Sequence, residues 1–88
     1  MPIKELTEEE VKTLTISELA GAAARDWGNI HYTAMPYLEA MKGLRSINDR
    51  YGIEDGKMVV AYFLNNARTW KGHNARIIKA ELRRRLEN

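Results

Sequence analysis

Two helix starts are written in the same way near the beginning of the chain. In Leu6-Thr7-Glu8-Glu9-Glu10-Val11 a threonine cap is followed three residues later by a glutamate, with Leu6 and Val11 at the two staple positions. Leu14-Thr15-Ile16-Ser17-Glu18-Leu19 repeats the arrangement with Thr15 and Glu18. In each, the hydroxyl can accept from an early backbone N–H while the carboxylate reaches back to the cap. The first start leads into about a turn and a half, ending near Leu14. The second leads into a full helix, because Ile16, Leu19, Ala20, Ala23 and Trp27 recur at three- and four-residue spacing until Gly28-Asn29 stops it. A third helix is predicted from Thr33 or Ala34, with Pro36 tolerated in its first turn. Its stripe of Tyr37 or Leu38, Met41, Leu44, Ile47 and Tyr51 implies a long helix closed by Gly52. Glu39, Lys42, Arg45, Ser46, Asp49 and Arg50 form its wet side.

Residues 55–70 carry two signals. Val59-Val60-Ala61-Tyr62-Phe63-Leu64 suits a buried strand by propensity, yet apolar positions continue through Ala67 and Trp70 at helical spacing, and Asp55 is a fitting cap. No second strand candidate exists to satisfy a strand's backbone groups. A helix is therefore expected, apolar on most sides and hence the most buried. Lys71-Gly72-His73-Asn74 reads as a tight connection in which Asn74 caps a last helix over 75–86, with Ala75, Ile78, Leu82 and Leu86 inward. Short connections make successive helices neighbours. The expected fold class is all-α: a compact bundle or orthogonal array of about four helices plus a short N-terminal helical turn. It forms a single domain over 1–88, with 1–14 an acidic extension and 15–86 the core.

Composition narrows the function classes. Eighty-eight residues suit one domain, and 44 % apolar with 30 % charged residues is an ordinary globular balance. The absence of cysteine excludes disulfides and thiolate metal sites and points to a cytosolic rather than a secreted setting. Met1-Pro2 with the charged Lys4-Glu5 pair is unlike a signal peptide, and the longest apolar run, 58–64, is too short for a bilayer, so no membrane association is expected.

Charge is unevenly distributed. Residues 1–18 hold five acids and two bases, a net of −3, and residues 19–67 balance at five and five. Residues 68–88 hold seven bases against Glu81 and Glu87, a net of +5.

Catalytic and metal chemistry find little footing. The stretch Gly52-Ile53-Glu54-Asp55-Gly56-Lys57-Met58 falls one residue short of a phosphate loop, and methionine replaces the magnesium-binding hydroxyl. A turn with a helix cap explains it better. The acids around Asp49, Glu54 and Asp55 miss calcium-loop spacing. His31 and His73 are the only histidines and lack a partner at metal-ligand spacing. Ser17 and Ser46 read as cap and helix surface. No enzyme activity, cofactor or metal is expected.

Two surfaces remain as candidates. On a last helix, Arg76, Lys79 and Arg83 fall within roughly 60° of one another. Arg84 widens that stripe together with Arg85, and Arg68 and Lys71 extend it. Such a face can grip phosphates without reading sequence, or an acidic partner. Its competitor is a solvated face whose cations complement the helix dipole. The second surface is aromatic: His31, Tyr32 and Tyr37 lie around the loop before the third helix. Tyrosine is a residue type that anchors protein interfaces, although such rings also plug bundle ends.

The second half resembles a family of short uncharacterised proteins encoded by bacterial phages and prophages. The resemblance rests on Tyr51-Gly52, Asp55-Gly56-Lys57, Tyr62-Phe63-Leu64-Asn65-Asn66-Ala67-Arg68-Thr69-Trp70-Lys71-Gly72, Ala75-Arg76 and Lys79-Ala80-Glu81-Leu82. It extends to the 15–27 helix and to Met35-Pro36-Tyr37-Leu38. It implies a mobile-element origin and a small helical fold, and it brings no catalytic residues. Such an origin suggests an accessory protein that binds a host macromolecule stoichiometrically, for instance to inhibit an antiviral defence system. Alternatives are a nucleic-acid-binding protein using the last helix, and a homo-oligomeric bundle that buries Tyr32, Tyr37 or the first short helix.

Overall fold

A computed structural model of the chain describes residues 5–51 and 54–87, with the side chains of all but Arg50, Tyr51 and Glu54. Both capping boxes form. Thr7 Oγ1 accepts from Glu10 N–H at 3.2 Å while Glu10 Oε1 accepts from Thr7 N–H at 3.0 Å, opening α1 (Glu8–Lys12). Thr15 and Glu18 make the same pair of bonds at 3.0 and 2.8 Å, opening α2 (Ile16–Asp26). The stop near Trp27 falls where Gly28 predicts it.

The third helix is much shorter than its stripe suggests: α3 (Met35–Met41) has seven residues. Its extension would need the carbonyls of Lys42 and Arg45 for its own bonds. The start of α2 takes both, through Ser17 Oγ–H on Lys42 O at 2.7 Å and Ile16 N–H on Arg45 O at 3.0 Å. Asp49 Oδ2 collects the N–H groups of Arg45 and Ser46 at 3.0 and 3.3 Å, fixing turns in place of the expected helix. Leu44 and Ile47 are nonetheless buried. Periodicity here reports burial, and Ser46 sits in a turn rather than on a helix surface. A two-residue antiparallel ladder follows, Arg50–Tyr51 against Glu54–Asp55, pairing Arg50 with Asp55 and Tyr51 with Glu54. Gly52, the expected helix stop, lies outside the described residues.

Asp55 caps α4 (Gly56–Asn65), accepting from Met58 N–H at 3.0 Å. The helix ends before Ala67 and Trp70 because Asn66 closes it: its N–H reaches the carbonyls of Tyr62 and Phe63, and its side-chain amide also donates to Tyr62 O at 2.8 Å. α4 buries Val59, Val60 and Phe63 but leaves Met58 45 % and Tyr62 39 % exposed, so it is not the enclosed central helix expected. Helix α5 (His73–Glu87) starts after Gly72, whose φ of +115° favours glycine, and Arg76 N–H bonds Gly72 O at 3.0 Å. Asn74 is therefore inside the first turn and does not cap it. Its side chain turns inward instead.

The fold is all-α. α3 packs on α4 and α2, while α1, α2 and α4 all pack on α5. At the centre Trp27 stacks on Trp70 with ring centroids 5.8 Å apart, and Phe63 meets both edge-on at 6.4 and 6.3 Å. Leu6 and Val11 join the same core as Phe63 and Trp70. Two residues of the stretch expected to be an extension, Leu6 and Val11, thus belong to the core. Among the described residues no helix is long and apolar enough to cross a membrane.

Candidate functional site

The 66–72 turn and the first three turns of α5 enclose an open groove of about 550 Å³. Lys71, His73, Arg76, Lys79 and Arg83 line it, above Trp70, Ala75 and Ala80, and no carboxylate among the described residues does. Helical spacing correctly places Arg76, Lys79 and Arg83 on one face, and the turn brings Lys71 to join them. Lys71, Arg76 and Arg83 are exposed. Lys79 is half-buried: its Nζ donates to Trp70 O at 2.5 Å and stands 5.6 Å from the centre of the Trp70 ring. Burial, followed by the charges of Arg83 and Lys71, holds its ammonium below the usual lysine pKa. The lining is therefore a concentration of positive charge, and like charge is already felt by its most buried member.

Arg84 does not widen this face. Its guanidinium donates to both oxygens of Glu81, Nε to Oε1 at 3.0 Å and Nη2 to Oε2 at 2.6 Å. Arg85 Nε reaches Glu81 Oε2 at 2.6 Å, and its Nη2 donates to Val11 O at 3.0 Å, tying α1 to α5. Both cations are structural. The i,i+3 and i,i+4 spacing of Glu81 to Arg84 and Arg85 is the sequence signal that identifies them.

Arg68 lies on the other side of the 66–72 turn. With His31, Thr33, Asn65, Asn66 and Thr69 it lines a second pocket of about 160 Å³, to which only polar residue types contribute. Thr33 presents its N–H to His31 Nδ1 at 3.3 Å and its hydroxyl at 2.8 Å, so the neutral ring carries its hydrogen on Nε2. Tyr32, 79 % exposed, stacks on His31 with centroids 4.9 Å apart and planes at 22°. Tyr37 packs on Tyr62 at 5.3 Å and is only half-exposed. The candidate patch of His31, Tyr32 and Tyr37 thus divides into an exposed stack and a ring pair against α4. Thr33, Asn65, Asn66 and Thr69 carry no sequence signal, because only the fold brings those stretches together.

His73 serves the scaffold. Its Nε2 donates to Leu6 O at 2.7 Å, which leaves Nδ1 as the acceptor facing Arg76 Nη2 at 3.4 Å. Asn74 Oδ1 accepts from Leu6 N–H at 2.7 Å, and its amide donates to Asp26 Oδ1 at 3.1 Å. Asp26 Oδ2 takes the Trp70 indole N–H at 2.9 Å. Among the described residues no group of three or more His, Asp or Glu side chains converges as a metal site requires. Leu6 and Val11, apolar residues around the first short helix, are buried in the core.

Comparison with protein-family models, curated proteins and solved structures gave no match.

Proposed function

We propose that the protein acts by stoichiometric binding of a macromolecule rather than by catalysis, and that the groove along α5 takes a phosphate backbone. One observation carries this reading: Lys71, Arg76, Lys79 and Arg83 converge on a groove whose described lining holds no carboxylate. Among the described residues none of the four makes an ion pair, whereas Arg84 and Arg85 do. A polyanion supplies the missing counter-charge and releases its own condensed ions on binding. The accessory role in a phage or mobile element, acting on a host macromolecule in the bacterial cytoplasm, is the setting that the sequence resemblance suggests.

The test is anisotropy of labelled DNA and RNA at about 50 and 200 mM salt. Four phosphate contacts imply a loss of about 50- to 150-fold over that range. Arg76→Glu with Arg83→Glu should remove most of the binding. No binding at the lower salt sinks the reading.

A second reading, capture of a host protein such as a defence enzyme, is favoured by one different observation. Tyr32 and Met35, the latter 45 % exposed, stand out near the start of α3, and such side chains anchor interfaces. Loss of host-protein capture on Tyr32→Ala, with nucleic-acid binding absent, would select it.

A further inference from the structure

The basic groove and the pocket beside the Tyr32–His31 stack both draw residues from the 66–72 turn. His31 shares the polar pocket with Arg68, and Arg68 shares the 66–72 turn with Lys71, the first cation of the groove. The 66–72 turn thus separates two basic sites, with Arg68 and the Tyr32–His31 stack on one side and Lys71 and α5 on the other. Resting on the phosphate-binding reading, we infer that the ligand is a single-stranded polynucleotide that passes over this turn, and that Tyr32 stacks on one of its bases.

A surface built only for duplex phosphates has no use for an exposed ring at its end. Single-strand binders combine a basic groove that follows the backbone with rings on which unpaired bases stack. Among the rings at the two pockets, Trp70 cannot serve. It is 2 % exposed, stacked on Trp27 and hydrogen-bonded to Asp26. Tyr32 has the opposite character. It is 79 % exposed, and His31 backs one side of its ring. The backing ring is itself fixed by Thr33 through two bonds to Nδ1. The pocket beside it offers the hydroxyls of Thr33 and Thr69, the amides of Asn65 and Asn66, and the Arg68 guanidinium. Those groups suit a phosphate and the polar edge of a base, and they carry no negative charge.

The experiment compares a labelled single strand of about 15 nucleotides, near the upper site size of a small binding module, with the same sequence as a duplex. DNA and RNA strands are both used, at about 50 mM salt. The expected result is tighter binding of the single strand. Tyr32→Ala should weaken that complex about 5- to 150-fold, the span covered when one stacking ring is removed. It should leave duplex binding unchanged, and Tyr32→Phe should retain single-strand affinity. Unchanged helical circular dichroism confirms that Tyr32→Ala folds. The inference is overturned if the duplex binds as tightly as the strand, or if Tyr32→Ala leaves single-strand affinity intact. In either case the groove reading survives, provided Arg76→Glu with Arg83→Glu still abolishes binding. Failure of both nucleic acids to bind removes the groove reading as well.

Discussion

His73 Nε2 lies 2.7 Å from the main-chain oxygen of Leu6, sixty-seven residues away in sequence. Its neighbour Asn74 takes the N–H of the same leucine at 2.7 Å. Two consecutive side chains at the start of α5 thus satisfy both backbone groups of one buried residue, as a partner strand would. Asn74 also bonds Asp26, which in turn fixes Trp70. Asn74→Ala leaves the Leu6 N–H without this acceptor and strips Asp26 of a donor. A buried group left unpaired costs about 1–3 kcal/mol, and each kcal/mol lowers Tm by roughly 4–8 °C in a chain of this size. Asn74→Asp should not rescue it, since an oxygen would then face the Asp26 carboxylate. Thermal melting followed by circular dichroism checks this, and an unaltered Tm for Asn74→Ala contradicts it.

Three glycine-to-alanine changes should separate in sign. At Gly56 a Cβ would stand 2.8 Å from both Asp49 O and Ile47 O, which are backbone atoms that cannot turn aside. The Gly56 N–H also bonds Asp49 O at 2.7 Å, so the start of α4 is clamped to the preceding turn. Gly56→Ala should cost about 1–3 kcal/mol, as overpacking does. Gly72→Ala should destabilise through its φ of +115° although its surroundings are open. Gly28 has neither constraint, and Gly28→Ala should be neutral or stabilise by up to about 1 kcal/mol. Urea midpoints at constant m measure all three, and equal midpoints for Gly28→Ala and Gly56→Ala would contradict the argument.

What can be read from the sequence depends on how far apart the interacting residues lie. Thr7 with Glu10, and Thr15 with Glu18, act within one turn, and both helix starts are legible. Leu44, Ile47, Ala67 and Trp70 are legible as buried but not as non-helical. The atoms that divert the chain are Ser17 Oγ, the Ile16 N–H and the Asn66 amide, and apolar spacing contains none of them. Asn74 has the residue type of a cap, but its partners, Leu6 and Asp26, lie 68 and 48 residues away. At the candidate site, the groove face follows from helical period alone. The adjoining of Arg68 and His31 requires the fold. Arg84 differs from both: Glu81, one turn before it, already signals a structural pair.

Glu81 should give the stability curve an acid limb. Its carboxylate is buried, and the hydrogen bond from Arg84, followed by the contacts with Arg85, holds its pKa below the usual glutamate value against the opposing effect of burial. The stabilisation is therefore complete above the unfolded value of about 4.3 and is lost as pH falls through the lower folded value. This one group adds at most about 1.4 kcal/mol per pH unit to the slope there. Glu81→Gln should be less stable at neutral pH, flatter below pH 5, and should converge with the parent protein at the acid end. Urea titrations across that range decide it, and parallel curves would assign the acid limb to other carboxylates.

Arg83 and Arg84 are adjacent in sequence, yet the structure gives them separate tasks. Arg83 lines the basic groove, whereas Arg84 is held on Glu81 by two hydrogen bonds. Neutralising each tests whether the groove is a defined site or α5 merely a diffuse positive field. For a phosphate backbone lying in the groove, Arg83→Gln removes one contact. The slope of log affinity against log salt should then fall by about 0.7–0.9, with little change in stability because that side chain is exposed. Arg84→Gln should leave the salt slope in place, because its charge is already matched by Glu81. It should instead lift the Glu81 pKa toward its ordinary value, since the largest cause of its depression is gone. The protein would then have less stability to lose on acidification. Equal losses of salt slope in the two variants would mean that position in the groove is irrelevant and only net charge counts. A loss confined to Arg83→Gln locates the phosphates on the face shared with Arg76 and Lys79.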